Sequence, residues 1–158
     1  MNTFYFERKE EDNKVFLFFF GNIDENASFT GAILDGTKDL VIDLEKVEAI
    51  NSCGIRDWIQ WLKTSPVDCK IEYRNCPKVI VDQMNMIKGF LPTNAHVESF
   101  YVPYYSPDAD KEKMILYRKG VDFKENSVDI QDTYVDPDNN EEYEIDVIPE
   151  KYFKFIQG

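Results

Sequence analysis

The stretch LVIDLEKVEAINSCGIRDWIQWL, residues 40–62, joins an apolar strand to an amphipathic helix through a short polar turn. Leu40, Val41, Ile42 and Leu44 form an apolar, partly β-branched run broken only by Asp43. A central strand covered on both faces reads this way. Ser52 offers a hydroxyl for the helix N-cap. After it Ile55, Trp58, Ile59 and Leu62 fall at i, i+3, i+4 and i+7, while Arg56, Asp57, Gln60 and Lys63 face elsewhere. Trp61 lies about 120° from the centre of that stripe, which leaves two readings: an indole half exposed beside the packed face, or one buried against the neighbouring helix. In the turn Asn51-Ser52-Cys53-Gly54, small side chains meet the free N–H groups at the positive end of the helix dipole. The residues alone leave two readings: a simple cap with a packing glycine, or a place suited to an added phosphate.

Working outward, residues 3–8 alternate and lead through Glu10-Glu11-Asp12-Asn13 into VFLFFF, residues 15–20, which predicts a hairpin whose second strand is buried. Lys14 and Asp24-Glu25 flank that run as charged gatekeepers. Residues 26–34 are expected to form a short helix capped by Asn26, and Gly36 to Asp39 to turn the chain into the central strand. Thr64-Ser65-Pro66 stops the organising helix, and residues 69–74 alternate as a half-exposed strand. A second helix starts at Pro77 and ends by Gly89, with Ile80, Met84 and Ile87 on one side. Residues 97–105 read as a further strand with Pro103 at an edge or bulge. His96 is expected at the surface.

The run D-L-E-K-V-E-A-I-N-S-C-G-I, preceded by V-F-L-F-F-F-G-N-I-D, resembles the STAS domain, the fold of the anti-sigma factor antagonists. That resemblance implies an α/β fold, a mixed β-sheet with helices packed on it in the order β-β-α-β-α-β-α-β, over about residues 4–105. Members typically carry D-S-[ST]-G-[LI] at the start of the helix, with a regulatory phosphate on the residue before the glycine. Here that residue is Cys53, and Asn51 stands at the aspartate position, so Ser52 is the only hydroxyl left in the turn. The resemblance implies a non-enzymatic regulatory module of bacterial type. Its docking surface would comprise Asn51, Ser52, Cys53, Gly54, Asp57 and Trp61, with Ser52 a possible phosphorylation site. The implied partner is a protein such as an anti-sigma factor or a serine kinase.

Residues 106–158 are expected to form a separate, acidic, mostly β extension, with strands near 114–117, 127–130 and 143–145 and a helix over 149–156. Residues 1–105 carry 16 acids and 11 bases, and residues 106–158 carry 14 and 7, within a net charge of −12. A field of that sign disfavours phosphate backbones and anionic lipid. Aromatic residues in the extension predict order rather than a loose tail. Ser106-Pro107-Asp108-Ala109 and Asp136-Pro137-Asp138-Asn139 rhyme, and with cysteine at their outer positions they would be two zinc knuckles. The extension therefore resembles a zinc ribbon that has lost its ligands, or else carries two unrelated Pro-Asp turns, and no metal or other cofactor is expected. The second turn begins like a calcium loop, but Glu141 and Val147 occupy the places of the required glycine and bidentate acid.

No phosphate-cradling, dinucleotide, zinc-protease or nucleophile-elbow motif occurs, and with one histidine most base-assisted nucleophiles lack a partner. Catalysis is not expected. Three cysteines, Cys53, Cys69 and Cys76, without paired spacing fit a reducing compartment. The absence of a leader-like start and of a long apolar run adds to an expectation of a soluble, cytoplasmic protein. Two other readings stand beside the regulator. One is a thiol-based sensor using Cys53 at a helix N-terminus. The other is a ligand-binding or structural STAS-like protein whose partner surface is masked by the extension.

Overall fold

The computed structural model describes residues 2–157. Strands β1 (Tyr5–Glu11) and β2 (Lys14–Ile23) form the expected antiparallel hairpin. Asp12 and Asn13 turn it with φ of 52° and 66°, the left-handed pair that matches strand twist in a two-residue loop. Strand β3 (Asp39–Ile50) pairs in parallel with β2, β4 (Lys70–Arg74) with β3, and β5 (Ala95–Val97) with β4. The first sheet is thus mixed, ordered β1-β2-β3-β4-β5.

Helix α1 (Ser52–Leu62) follows β3, and α2 (Lys78–Met86) follows β4. Alternation along β2 sends Val15, Leu17, Phe19 and Ile23 to the helix-covered face, where Phe19 meets Trp58 of α1 edge-on at 5.5 Å. Ile80, Val81 and Met84 of α2 join the same buried cluster. The fold is α/β, with helices packed on a mixed sheet.

Residues 26–34 do not form the expected helix. They run as turns in which Ala32 N–H donates to Phe29 O and Thr37 N–H to Leu34 O, with Phe29, Ala32 and Leu34 buried. The Ser28 and Thr30 hydroxyls bond each other at 2.9 Å, and the Thr30 N–H turns to the Ser28 hydroxyl rather than to a helical carbonyl.

A second sheet takes over after β5. Strands β6 (Ser99–Ser106), β7 (Lys111–Arg118), β10 (Thr133–Val135) and β11 (Glu142–Ile145) form it in the antiparallel order β10-β11-β6-β7. Strands β8 (Phe123–Lys124) and β9 (Ser127–Val128) make a small separate hairpin. The strand expected at 97–105 therefore belongs mainly to the second sheet, and β6 and β7 are two arms of one hairpin. A boundary at 105/106 falls inside β6, because the chain changes sheets at Glu98. Both sheets feed one contiguous core that includes Leu17, Trp58, Phe100, Tyr117 and Phe153. The last helix is two short ones, α3 (Pro149–Tyr152) and α4 (Lys154–Gln157), broken at Phe153. Among the described residues no helix is long and apolar enough to cross a membrane.

Candidate functional site

The turn between β3 and α1 is fixed from three directions. Asn51, extended at φ −114° and ψ 179°, is the N-cap, and its Oδ1 accepts from Gly54 N–H at 2.9 Å. Ser52, expected as the cap, is the first helical residue, because the asparagine side chain reaches the third N–H better from one position earlier. Asn51 N–H donates to Ile23 O at the end of β2, which ties the turn to the neighbouring strand. Gly54 makes that approach possible: a Cβ there would stand 1.9 Å from the Ile23 carbonyl oxygen.

The third tie was not visible in the sequence. Asn51 Nδ2 donates to Glu25 Oε2 at 2.7 Å across 26 residues. Helix α1 has no acid in its first turn, so Glu25 brings the negative charge that complements its dipole. Hydrogen bonds from its own backbone N–H and from the Asn51 amide hold the Glu25 carboxyl below its ordinary value. Sequence reading saw Glu25 only as a flank of β2. No local signal links it to Asn51, because the contact depends on the β2–β3 register.

Around this turn Asn51 and Ser52 are exposed and Cys53 and Asp57 half-buried. Asp57 Oδ1 lies 3.5 Å from Arg56 Nε in a solvent-facing pair. Of the two readings of Trp61 burial holds, but the 26–34 segment covers it rather than a helix. Its side chain is only 6% exposed, its Nε1 donates to Ala32 O at 2.7 Å, and its ring stacks on Phe29 at 5.1 Å. The segment 26–34 folds over the flank that a single-helix projection leaves open. Gly54 is likewise buried beneath the turn.

Cys53, Cys69 and Cys76 are all free. Burial first, then Asp39 and Asp68, raise the Cys69 thiol, and burial raises that of Cys76 further. His96 sits on β5 with Nε2 3.3 Å from Glu72 Oε1, so its polar partner is Glu72. It is surface-exposed, as expected.

The two rhyming turns stand at the same end of the second sheet, since β6 and β11 are adjacent and antiparallel. Ser106 is buried, and its Oγ accepts from Ala109 N–H at 3.3 Å. Asp136 Oδ1 accepts from Asp138 N–H at 2.9 Å, and its Oδ2 accepts from Lys113 Nζ at 2.6 Å. The Lys113 ammonium also sits 5.6 Å from the Tyr134 ring centre. Lys113 first, then the Asp138 N–H, hold the Asp136 carboxyl below its ordinary value. Among the described residues no group of three or more His, Cys, Asp or Glu side chains is placed to hold a metal.

A crystal structure of an anti-sigma factor antagonist from Mycobacterium paratuberculosis is similar over 49% of this chain and 71% of that one, at 19% identity and a TM-score of 0.41. No protein-family model and no curated protein matches the sequence.

Proposed function

We propose that this chain is a non-enzymatic, cytoplasmic regulatory module of the anti-sigma-factor-antagonist kind, docking a protein partner through the start of α1. The observation that supports this reading is the pinned, solvent-facing turn: Asn51 tied to Gly54, Ile23 and Glu25, with Ser52 exposed on top. A surface held this firmly loses little freedom on binding. The docking residues are Asn51, Ser52, Cys53 and Asp57, with Gly54 setting the geometry from below. Trp61 contributes through packing rather than contact. An anti-sigma factor or a serine kinase is the partner class, and a phosphate on Ser52 would place charge inside the docking surface and release it. The extension is a ribbon-like pair of hairpins in which the Lys113–Asp136 ion pair and the Ser106 hydroxyl hold the turns that ligands hold in a zinc ribbon.

The test is co-purification from the source organism with tagged wild-type protein and an Asp57→Lys variant, with bound proteins identified by mass. A sigma-pathway protein or kinase bound by wild type and lost in the variant is expected. An unchanged set of bound proteins, or none, removes the reading.

The masked alternative concerns a surface on α2, since the α1 turn is exposed. Asn85 of α2 donates to Tyr152 O and accepts from Phe155 N–H, both at 2.8 Å, which clamps the C-terminal helices onto α2. Under that alternative, partner binding appears only when the clamp is cut by Asn85→Ala.

A further inference from the structure

The first sheet has a second face, and among the described residues no helix covers it. Phe16, Phe18 and Phe20 alternate with the core residues of β2 and are half-buried on this side. Neither they nor Val41 belong to the contiguous core. Tyr5 stacks flat on Phe20 at 4.5 Å, and the Arg74 guanidinium lies 5.9 Å from the Phe16 ring centre. An apolar stripe of half-buried phenylalanines therefore runs down β2, with Val41 of β3 already buried beside it and charged strands on both sides.

Strand register arranges those charges in rows. One row across β1, β2, β3 and β4 is Glu11, Lys14, Asp39, Lys70. The next is Lys9, Phe16, Val41, Glu72, and the third is Glu7, Phe18, Asp43, Arg74. Down β1 the signs run minus, plus, minus, and down β4 they run plus, minus, plus. The columns are inverses of each other, level by level.

We propose that this face docks a second copy of the chain, sheet on sheet, about a two-fold axis parallel to the strands and running between β2 and β3. Such an axis lays β1 of one copy over β4 of the other and β2 over β3, at equal levels. Glu11 then meets Lys70, Lys9 meets Glu72, Glu7 meets Arg74, Lys14 meets Asp39, and Phe16 meets Val41. The one unfavourable opposition is Phe18 with Asp43, whose carboxylate already accepts from Asn75 Nδ2 at 3.0 Å and Glu45 N–H at 3.0 Å.

Charge balance selects a second copy over an unlike partner. The chain carries −12, so two copies repel over most approaches. On these three rows five acids stand against four bases. Lys9 already pairs with Glu11 at 3.0 Å and Arg74 with Glu72 at 2.8 Å within each copy, so the self-complementary order attracts chiefly through Lys14 and Lys70. Four strands by three rows span roughly 400 Å² of flat face per copy. The total of about 800 Å² lies below the range of stable specific interfaces, so the dimer is weak, with a Kd of about 10–100 μM. It is independent of the α1 turn and stands or falls apart from the regulator reading.

Sedimentation velocity of the full chain up to about 100 μM tests the proposal, at low salt and at about 0.5 M salt. A dimer at low salt that weakens with salt is expected. Glu11→Lys and Lys70→Glu, both at exposed positions, are each expected to weaken it about five- to tenfold, since the two-fold doubles each lost pair. The double variant exchanges the signs and is expected to restore association. Phe16→Glu is expected to abolish it, with circular dichroism confirming the fold. A wild-type monomer throughout the range overturns the proposal, as does a double variant no better than the single ones. The charge exchange decides the matter even if Phe16→Glu fails to fold.

Discussion

Trp58 and Tyr73 are bonded inside the core: the indole Nε1 donates to the phenolic oxygen at 3.1 Å, and Tyr73 in turn donates to Phe90 O at 2.6 Å. Both side chains are wholly buried, and Phe90 stacks flat against Trp58 at 5.4 Å. The three residues link α1, β4 and the segment after α2 through one hydroxyl. Tyr73→Phe keeps the ring and leaves a buried N–H and a buried C=O without partners. We expect a loss of about 2–4 kcal/mol, read as a lower urea midpoint at unchanged slope. A loss under about 0.5 kcal/mol would show that the hydroxyl does not hold the three elements together.

Gly54 is required by space and not by backbone angle. The methyl group of Gly54→Ala would sit 1.9 Å from the Ile23 carbonyl oxygen, which is backbone and cannot swing aside. The substitution must separate α1 from β2 and break the Asn51–Ile23 bond. A loss of about 3 kcal/mol or more is expected in thermal or urea unfolding. Gly31→Ala is the control, since its Cβ would meet only the Phe6 ring at 3.4 Å, and it should change stability by less than about 1 kcal/mol. Equal effects at the two glycines would contradict the packing argument.

These contacts also mark how far the sequence could be read. The strand, turn and helix of residues 40–62 were legible because their apolar spacing belongs to one element at a time. The hairpin was legible because Asp12-Asn13 separates two strand patterns. The length of β3 was not: residues 45–50 are rich in charge, and only pairing with β2 as far as Ile23 extends the strand through them. Trp61 was left open for a similar reason. Its exposure is decided by Phe29 and Ala32, which a helical wheel does not contain. The strand expected at 97–105 is found as β6, Ser99–Ser106, but alternation carries no information about which sheet a strand joins. Of the candidate site, Asn51, Ser52 and Cys53 were placed together by adjacency in the chain. Glu25 arrived only through the parallel register.

The Lys113–Asp136 pair gives the second sheet a definite pH dependence. The ammonium holds the Asp136 carboxyl below its unfolded value, and the carboxylate holds Lys113 above its own. A lowered acid stabilises the fold above its unfolded pKa and loses that contribution as pH falls through the folded one. The raised lysine contributes below its unfolded pKa and loses it as pH rises through the folded one. Asp136→Asn should therefore be destabilising at about pH 7, and the difference from wild type should shrink only as pH falls below the ordinary carboxylate range and through the lowered folded value, where Asp136 takes up its proton. Urea unfolding of the two proteins at about pH 7 and at successively lower pH measures it. A gap that stays constant would assign the effect to packing of the turn rather than to charge.

The three thiols should separate by accessibility. Cys53 is half-buried at the start of α1, whereas Cys69 and Cys76 are buried, with their thiols raised by that burial. Only the thiolate reacts, so native-state alkylation should proceed in the order Cys53, Cys69, Cys76, with Cys76 modified only through unfolding. Peptide mass analysis during iodoacetamide treatment gives the three rates. This order alone does not make Cys53 a sensor, because burial slows its two competitors whatever Cys53 does. The deciding comparison is with a small free thiol at the same pH. Under the regulator reading Cys53 reacts more slowly than the free thiol, because it is part-covered in the turn. A rate well above the free thiol would move the function of this turn from docking to thiol chemistry.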